Sequence, residues 1–371
     1  MKSRLVYTHF VSGHNVEYLH HLYLGALEDK EHRYVFAVPY AFVGKKHLME
    51  WEPSDRISFH YLDQEAFRTG NILMNAWRNC KRLRQTVRQT GADEVILISL
   101  MDFMPFIQLL LPRNVSVRGI LYRIYLYYLA DMSWMQRMQE WVKFWIITHS
   151  ASIRRVFVLN DEDSAAELNR RWNTDKFAYL PDPYLPLDES QLRDMRQELG
   201  ISPTKKIVLH VGSINYNKGF DKLFDMIDNS SKSDLQDYCF VFAGVVANEV
   251  KELFYSRLER GWEKAEIVVR DKFLSYQELG SLVYTADKVV LPYRRFGQSS
   301  GIIAYCAQLQ TPVYVPKLGL IGKLVERYHI GLGVKEFNDI HSVEKEFDVI
   351  PSYCECHRVA DFYQIVFGLL Q

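Results

Sequence analysis

Two stretches of the chain place glycine, hydroxyl and basic residues where an apolar strand pattern stops and a helical one begins. The first is Ile207-Val-Leu-His-Val-Gly212-Ser213-Ile-Asn-Tyr-Asn-Lys218-Gly219. Its pattern predicts a strand, a glycine, a polar loop, and a Lys-Gly that opens a helix. The free N–H groups and positive potential of a helix start attract anions, and a lysine there adds a full countercharge. A solvated lysine in an ordinary strand-to-helix loop fits the same residues. The second stretch is Leu291-Pro-Tyr-Arg-Arg-Phe-Gly297-Gln298-Ser299-Ser300-Gly301-Ile-Ile-Ala-Tyr-Cys. Here a strand ends and Gly-Gln-Ser-Ser-Gly leads into an apolar helix. Serine at a helix start caps N–H groups, and the same hydroxyls and amides can receive phosphate oxygens instead. Both loops follow predicted strands in one half of the chain, where open parallel sheets bind ligands.

Candidates for proton transfer are fewer. His14 follows Gly13 in the first loop, and Asp102 lies just past the strand pattern Glu94–Leu100. Either could face a ligand and act as a base. His9 and His210 fall within strand patterns and are weaker candidates. Arg294 and Arg295 suit either phosphate contact or solvent. Asp161-Glu162-Asp163 has the spacing of a two-carboxylate metal site, but it stands at a predicted helix start, where acids are favoured in any case. The reading preferred here is a cap. Cys354-Glu-Cys356-His357 brings three metal-ligand types into four residues, with no second cluster to complete a tetrahedral site.

These residues need elements to hold them. Strand and helix patterns alternate throughout: strands at Leu5–Phe10, Tyr34–Val38, Glu94–Leu100 and Val156–Leu159, with helices at Glu17–Leu27 and Asn71–Gln89. Tyr179-Leu-Pro-Asp-Pro-Tyr-Leu-Pro186 interrupts them, since three prolines in six residues continue neither a helix nor a central strand. A helix is expected over Asp188–Leu199, stopped by Gly200. The alternation then restarts and ends in a helix over Val359–Leu370. This order predicts α/β structure with parallel sheets covered on both faces. The expected division is residues 1–186 and 187–356, two doubly wound Rossmann-like domains facing across a cleft. The helix within 357–371 is expected to pack back on the first.

Length agrees with two domains: 371 residues at roughly 150 per domain. Forty-five basic residues balance forty-five acidic ones, so bulk charge gives no reason to expect a nucleic-acid partner. No charge-free apolar run is long enough to span a bilayer. The N-terminal residues run into a strand pattern without the features of a secretory leader, and five cysteines make no disulfide framework. A cytoplasmic location is expected, with the inner face of the cytoplasmic membrane as a further expectation. Residues 68–155 hold thirteen Lys/Arg against five Asp/Glu, and Tyr122–Trp145 is dense in Tyr, Trp, Phe and Met. Basic and aromatic surface together suit peripheral contact with an anionic membrane. The alternative is a basic solvated face beside a buried aromatic helix.

The second half resembles the GT-B-fold glycosyltransferases near glycosyltransferase family 4, best over about residues 205–334. The segments that carry the likeness are Val211-Gly-Ser-Ile-Asn-Tyr-Asn-Lys-Gly219, Val241-Phe-Ala-Gly244, Ala286-Asp-Lys-Val-Val-Leu-Pro-Tyr293, Gln298-Ser-Ser-Gly-Ile-Ile-Ala304 and Thr311-Pro-Val313. The resemblance implies GT-B architecture and transfer of a sugar from a nucleotide diphosphate sugar to an acceptor hydroxyl. Surface polysaccharide or glycolipid assembly, on a sugar or lipid-linked sugar acceptor, is part of that expectation. Lys218, with Ser299, Ser300 and Gly301, would bind the donor phosphates. Gly13, Gly212, Ser213 and Gln298 would line the donor sugar and its loops. No cofactor and no metal are expected, because lysine and helix amides would stabilise the leaving diphosphate. The chain departs from the family at Ser213, where an Arg is usual. It departs again at Gly297 and Tyr305, where the family carries two glutamates. Two rival readings follow: a non-catalytic sugar-nucleotide or partner-binding subunit, and a sugar-nucleotide epimerase of the same architecture.

Overall fold

The computed structural model describes residues 2–11, 15–63 and 71–369. The chain divides into two compact units, one of Met1–Pro183 with Arg358–Gln371 and one of Tyr184–His357. The chain leaves the first unit within the triple-proline segment. The crossing falls three residues before the expected boundary because the Tyr184 ring packs edge-on against Tyr305 of its own unit.

The first unit alternates β1 (Lys2–Tyr7), α1 (Asn15–Glu28), β2 (His32–Pro39), β3 (Ile57–Leu62), α2 (Ile72–Thr90), β4 (Glu94–Leu97), α3 (Ile107–Leu110), β5 (Ser116–Leu121), α4 (Trp134–His149), β6 (Ile153–Leu159), α5 (Glu162–Trp172) and β7 (Phe177–Leu180). The second unit holds α6 (Arg196–Leu199), β8 (Lys206–Val211), α7 (Phe220–Asn229), α8 (Lys232–Leu235), β9 (Tyr238–Ala243), α9 (Lys251–Trp262), β10 (Glu266–Arg270), α10 (Tyr276–Thr285), β11 (Lys288–Val290), α11 (Ile302–Gln308), β12 (Val313–Pro316), α12 (Leu320–Arg327), β13 (Gly331–Val334) and α13 (Ser352–Cys356). Helix α14 (Val359–Phe367) returns to the first unit.

Both sheets are wholly parallel. The strand orders are β3-β2-β1-β4-β5-β6-β7 and β10-β9-β8-β11-β12-β13. Strands such as β9, Tyr238–Ala243, are buried at every position, because helices cover both faces and alternation has no solvent side to record. In the first unit, Leu5, Val95, Leu97 and Val117 point into a core with Leu83 of α2, Phe144 of α4 and Leu168 of α5. Val6, Phe36, Ile96 and Ile120 point the other way, onto Leu19 and Leu22 of α1 and Phe362 of α14. Layers α2–α5 and α1/α14 therefore sandwich the sheet.

Three expected elements change. The strand predicted to reach Phe10 ends at Tyr7, because the Thr8 hydroxyl and Phe10 backbone exchange hydrogen bonds and pull the chain off the ladder. The strand predicted to reach Leu100 ends at Leu97, and Met101–Phe103 forms a 3-10 turn. The helix expected over Asp188–Leu199 survives only as a 3-10 turn at Glu189–Gln191 and the four residues of α6. Between them, the Met195 N–H donates to the Thr285 hydroxyl at 2.8 Å and the Arg193 N–H to the Ser281 hydroxyl at 3.4 Å. Side chains of α10 take the donors that a helix would have used.

Helix α14 docks on α1 through a fitted contact: a Cβ at Gly25 would lie 2.5 Å from the Tyr363 ring, and Tyr18 stacks on Phe362. Gly25→Ala sets two terms against each other. Alanine in a helix interior is favoured over glycine by about 1 kcal/mol, whereas overpacking against the inner atoms of a ring costs about 1–3 kcal/mol. We expect net destabilisation by about 1–2 kcal/mol in urea unfolding. A stabilised variant would refute this packing.

Candidate functional site

In the second unit the strand order reverses between β8 and β11, which pair directly at Leu209 and Val289. Loops leaving these strands run to opposite faces, and the crevice between them is the ligand position of open α/β sheets. The loop after β8 begins at Gly212 and carries Lys218 in a 3-10 turn, Tyr216–Lys218, capped by Asn215, whose side chain accepts the Lys218 N–H at 3.2 Å. Helix α7 starts only at Phe220, so Lys218 stands just ahead of the helix and does not open it. Gly219 separates the two with φ of 71°, and a Cβ there would sit 2.1 Å from the Pro292 carbonyl oxygen. Only glycine lets the loops after β8 and β11 touch in this way.

That contact sets Lys218 on the second loop. Its ammonium lies 3.8 Å from the centre of the Tyr293 ring, and the Tyr293 hydroxyl is 2.9 Å from Ser300 Oγ. A cation on an aromatic face gains about 0.5–2 kcal/mol, enough to park a lysine but little against a doubly charged phosphate. Ser300 is buried, and its Oγ also lies 3.4 Å from the Ile302 backbone nitrogen. Gly301 precedes α11 and has no side chain to cap it; the Ile303 and Ala304 N–H groups donate to the Ser300 and Gly301 carbonyls, each at 3.2 Å. Ser299 is half-buried and Gln298 exposed. Ser213 is exposed and accepts from Asn215 Nδ2 at 3.1 Å.

Arg294 is committed elsewhere. Its guanidinium grips Asp221 of α7 at 2.6 and 2.5 Å and donates to the Tyr216 carbonyl at 2.9 Å. Burial works to raise the Asp221 pKa, but the guanidinium outweighs it and holds the carboxyl below its ordinary range. Arg294 therefore clamps the Lys218 loop to the loop after β11. Beneath, His210 of β8 is fully buried; its Nδ1–H donates to the Val290 carbonyl at 3.0 Å, and Nε2 has no partner among the described residues. Burial pulls its pKa down to about 4, and the Lys218 charge pushes in the same direction.

The first unit has its own reversal, between β1 and β4. Asp102 lies in the 3-10 turn after β4, where its Oδ2 accepts from Ser99 Oγ at 2.6 Å and meets His9 Nε2 at 3.1 Å. His9 is buried and stacks on Phe103, while the Asp102 side chain is 37% exposed. Asp102 is thus the group that can reach a ligand, and His9 and Ser99 orient it. Gly13 and His14 lie outside the described residues.

The other metal-ligand candidates serve the fold. Asp161 caps α5 by accepting from the Ser164 N–H at 3.0 Å, and it also takes the Ser164 and Tyr127 hydroxyls. In the Cys354–His357 segment, His357 is buried and stacks on Tyr353 with ring centres 3.6 Å apart, and its Nδ1 is 2.7 Å from the Tyr353 carbonyl oxygen. Among the described residues no group of three His, Cys, Asp or Glu is placed to hold a metal ion.

Residues 192–348 match the family described as Glycosyl transferases group 1. That match lies within the second unit. Across the whole chain, solved structures agree in fold. WaaG, a glycosyltransferase involved in lipopolysaccharide biosynthesis, superposes with a TM-score of 0.67 at 14% identity, covering 100% of this chain and 98% of that one. Anabaena HepE, solved with UDP, gives 0.69 at 12% identity, covering 100% and 99%. The UDP-GlcNAc 2-epimerase of Methanocaldococcus jannaschii gives 0.61 at 9%, covering 100% and 99%. The fold is GT-B, two doubly wound α/β units. Comparison of the sequence with curated proteins returns no match.

Within the matched segment, the two expected glutamate positions hold other residues. Gly297 is buried, and Tyr305 is buried between the rings of Tyr184 and Tyr276. Two residues of these candidate clusters are poorly marked in the sequence. Tyr293 follows Pro292 at a strand end, which is its one signal. His9 is hidden by an apolar run that looks like strand, so its place beside Asp102 emerges only from the fold.

The His210 environment has a pH signature. Its folded-state pKa of about 4 lies below the ordinary 6.5, so folding favours the neutral ring. The contribution is whole above pH 6.5 and disappears as pH falls through 4, at most about 3 kcal/mol. We expect His210→Leu to show a shallower loss of urea stability over that window than the parent chain. Identical slopes would contradict the assignment.

Proposed function

We propose that this protein is a glycosyltransferase that moves a sugar from a nucleotide diphosphate sugar to an acceptor hydroxyl. The observation that carries this reading is the family match over residues 192–348, which spans the loops that bring Lys218, Tyr293 and Ser300 together. In this proposal the second unit holds the donor and the first the acceptor. Lys218 leaves the Tyr293 ring for the donor diphosphate. Ser299, Ser300 and the amides at Gly301 take further phosphate oxygens, and Gly212, Ser213 and Gln298 border the sugar. Negative charge builds on the diphosphate as the glycosidic bond breaks, and groups already aimed at it stabilise the transition state most. No metal is required by this arrangement, so turnover should survive chelation of divalent ions.

Asp102 is the proposed base. A carboxylate held by Ser99 and His9 and still open to solvent can take the acceptor proton as the new bond forms, which implies inversion at the sugar carbon. HepE is described with UDP-glucose, so uridine nucleotides are the first donors to try. A lipid-linked sugar acceptor at a membrane face, in surface polysaccharide or glycolipid assembly, completes the proposal. The epimerase likeness is one of fold; an epimerase would convert the donor without any acceptor.

Two results test the reading. UDP should raise the melting temperature by mass action. Lys218→Ala should abolish that shift and lower kcat/KM by about a hundredfold or more, the usual loss for one transition-state donor. Tyr293→Phe, which keeps the ring, should lose far less. Full activity in Lys218→Ala would remove its assigned role. For Asp102→Asn, kcat should fall by about a hundredfold or more with donor KM little changed, and a His9→Gln variant should shift the pH profile of kcat. An Asp102→Asn enzyme with normal kcat would end the base assignment.

A further inference from the structure

Helix α4 turns a row of large apolar side chains outward. Trp134, Met138, Trp141 and Trp145 follow one another at spacings of four, three and four residues, which keeps them on one face. They are 74%, 45%, 52% and 43% exposed, and Met135 and Val142 widen the row. The opposite side supplies the core contacts, Phe144 and Ile147. No acid shares the exposed face: Glu140, the helix's one carboxylate, lies toward the core side and is paired with Lys143 at 2.6 Å. Arg137 borders the row and donates to the Met132 carbonyl.

The same helical layer is basic. Helix α2 packs into the same core as α4 and presents Lys81, Arg84 and Arg88 without a carboxylate partner among the described residues. Its first turn adds exposed Ile72, Leu73 and Met74. Helices in parallel βα units begin at the carboxyl end of the sheet, so the first turns of α2 and α4 lie toward the edge that carries Asp102. Residues 68–155 supply a surplus of eight positive charges to a chain whose net charge is zero.

We propose that the α2–α4 layer is a docking surface for an anionic lipid bilayer, with the α4 tryptophans entering the headgroup region and the α2 cations resting on lipid phosphates. Tryptophan belongs at such an interface because its ring is apolar and its N–H is not. Basic side chains beside an apolar face add attraction to anionic lipid and are screened by salt. A second copy of this chain is a poorer occupant, since two such layers would bring like charges together.

The test uses the full chain and sedimentation with vesicles of phosphatidylcholine alone or mixed with phosphatidylglycerol. The chain should bind the mixed vesicles, with a blue shift of tryptophan emission, and bind neutral ones weakly. Combined Trp134→Ser, Met138→Ser and Trp145→Ser should reduce binding by about tenfold or more. Combined Lys81→Gln, Arg84→Gln and Arg88→Gln should do the same and flatten the salt dependence. Both variants alter exposed or rim positions, so their melting temperatures and their turnover of a water-soluble acceptor should match the parent. Absence of binding to either vesicle overturns the proposal, as does undiminished binding by both variants. A dimer broken by the tryptophan variant, with vesicles ignored, would assign the face to a second copy instead. Vesicle binding and tryptophan emission do not depend on the transfer reaction, so a failure to bind leaves the proposed chemistry standing.

Discussion

Each parallel sheet reverses its strand order once, and the reversal decides where a ligand can go. Adjacent strands β8 and β11 send their connections to opposite faces, so no helix closes the space over their carboxyl ends. In the second unit this space is narrowed by backbone contacts that admit no side chain. A Cβ at Gly244 would lie 2.0 Å from the Gly212 carbonyl oxygen, and one at Gly219 would meet the Pro292 carbonyl. The glycines bring the two loops together at the backbone, with Lys218 beside their contact; in the proposed reading that is where the donor phosphate sits.

Electrostatics keeps that charge available. The carboxylate at the start of α7, Asp221, is already held by both ends of the Arg294 guanidinium. The ammonium of Lys218 is left on the Tyr293 ring, an attraction too weak to compete with a diphosphate. The buried His210 stays neutral below, which spares the site a second positive charge in the core. In the first unit the logic is reversed: a carboxylate is kept at the surface by a serine and a buried histidine, where it can accept a proton.

Much of this was legible in the sequence. Residues at the ends of apolar runs, Gly212, Lys218 and Ser299–Gly301, marked the carboxyl edge of the second sheet because parallel strands are buried on both faces and stop where polarity begins. The α5 cap at Asp161 was also readable, since an acid at a helix start is a local matter. The helix expected over Asp188–Leu199 failed because its donors are taken by Ser281 and Thr285, which lie on α10, far along the chain. Local propensity contains no information about such distant partners.

The sequence by itself determined the alternation of strand and helix, the break near the prolines, and the glycine-bearing loops at the strand ends. Those follow from periodicity, from proline's missing N–H and from glycine's freedom, all of which act within a few residues. Tertiary structure decided which of those loops meet. It set Tyr293 under Lys218, gave Asp102 its histidine, and turned the tryptophans of α4 outward when composition allowed a buried helix as readily. Each depends on strand order, which brings residues far apart in the chain to adjacent strand ends and which no local pattern records.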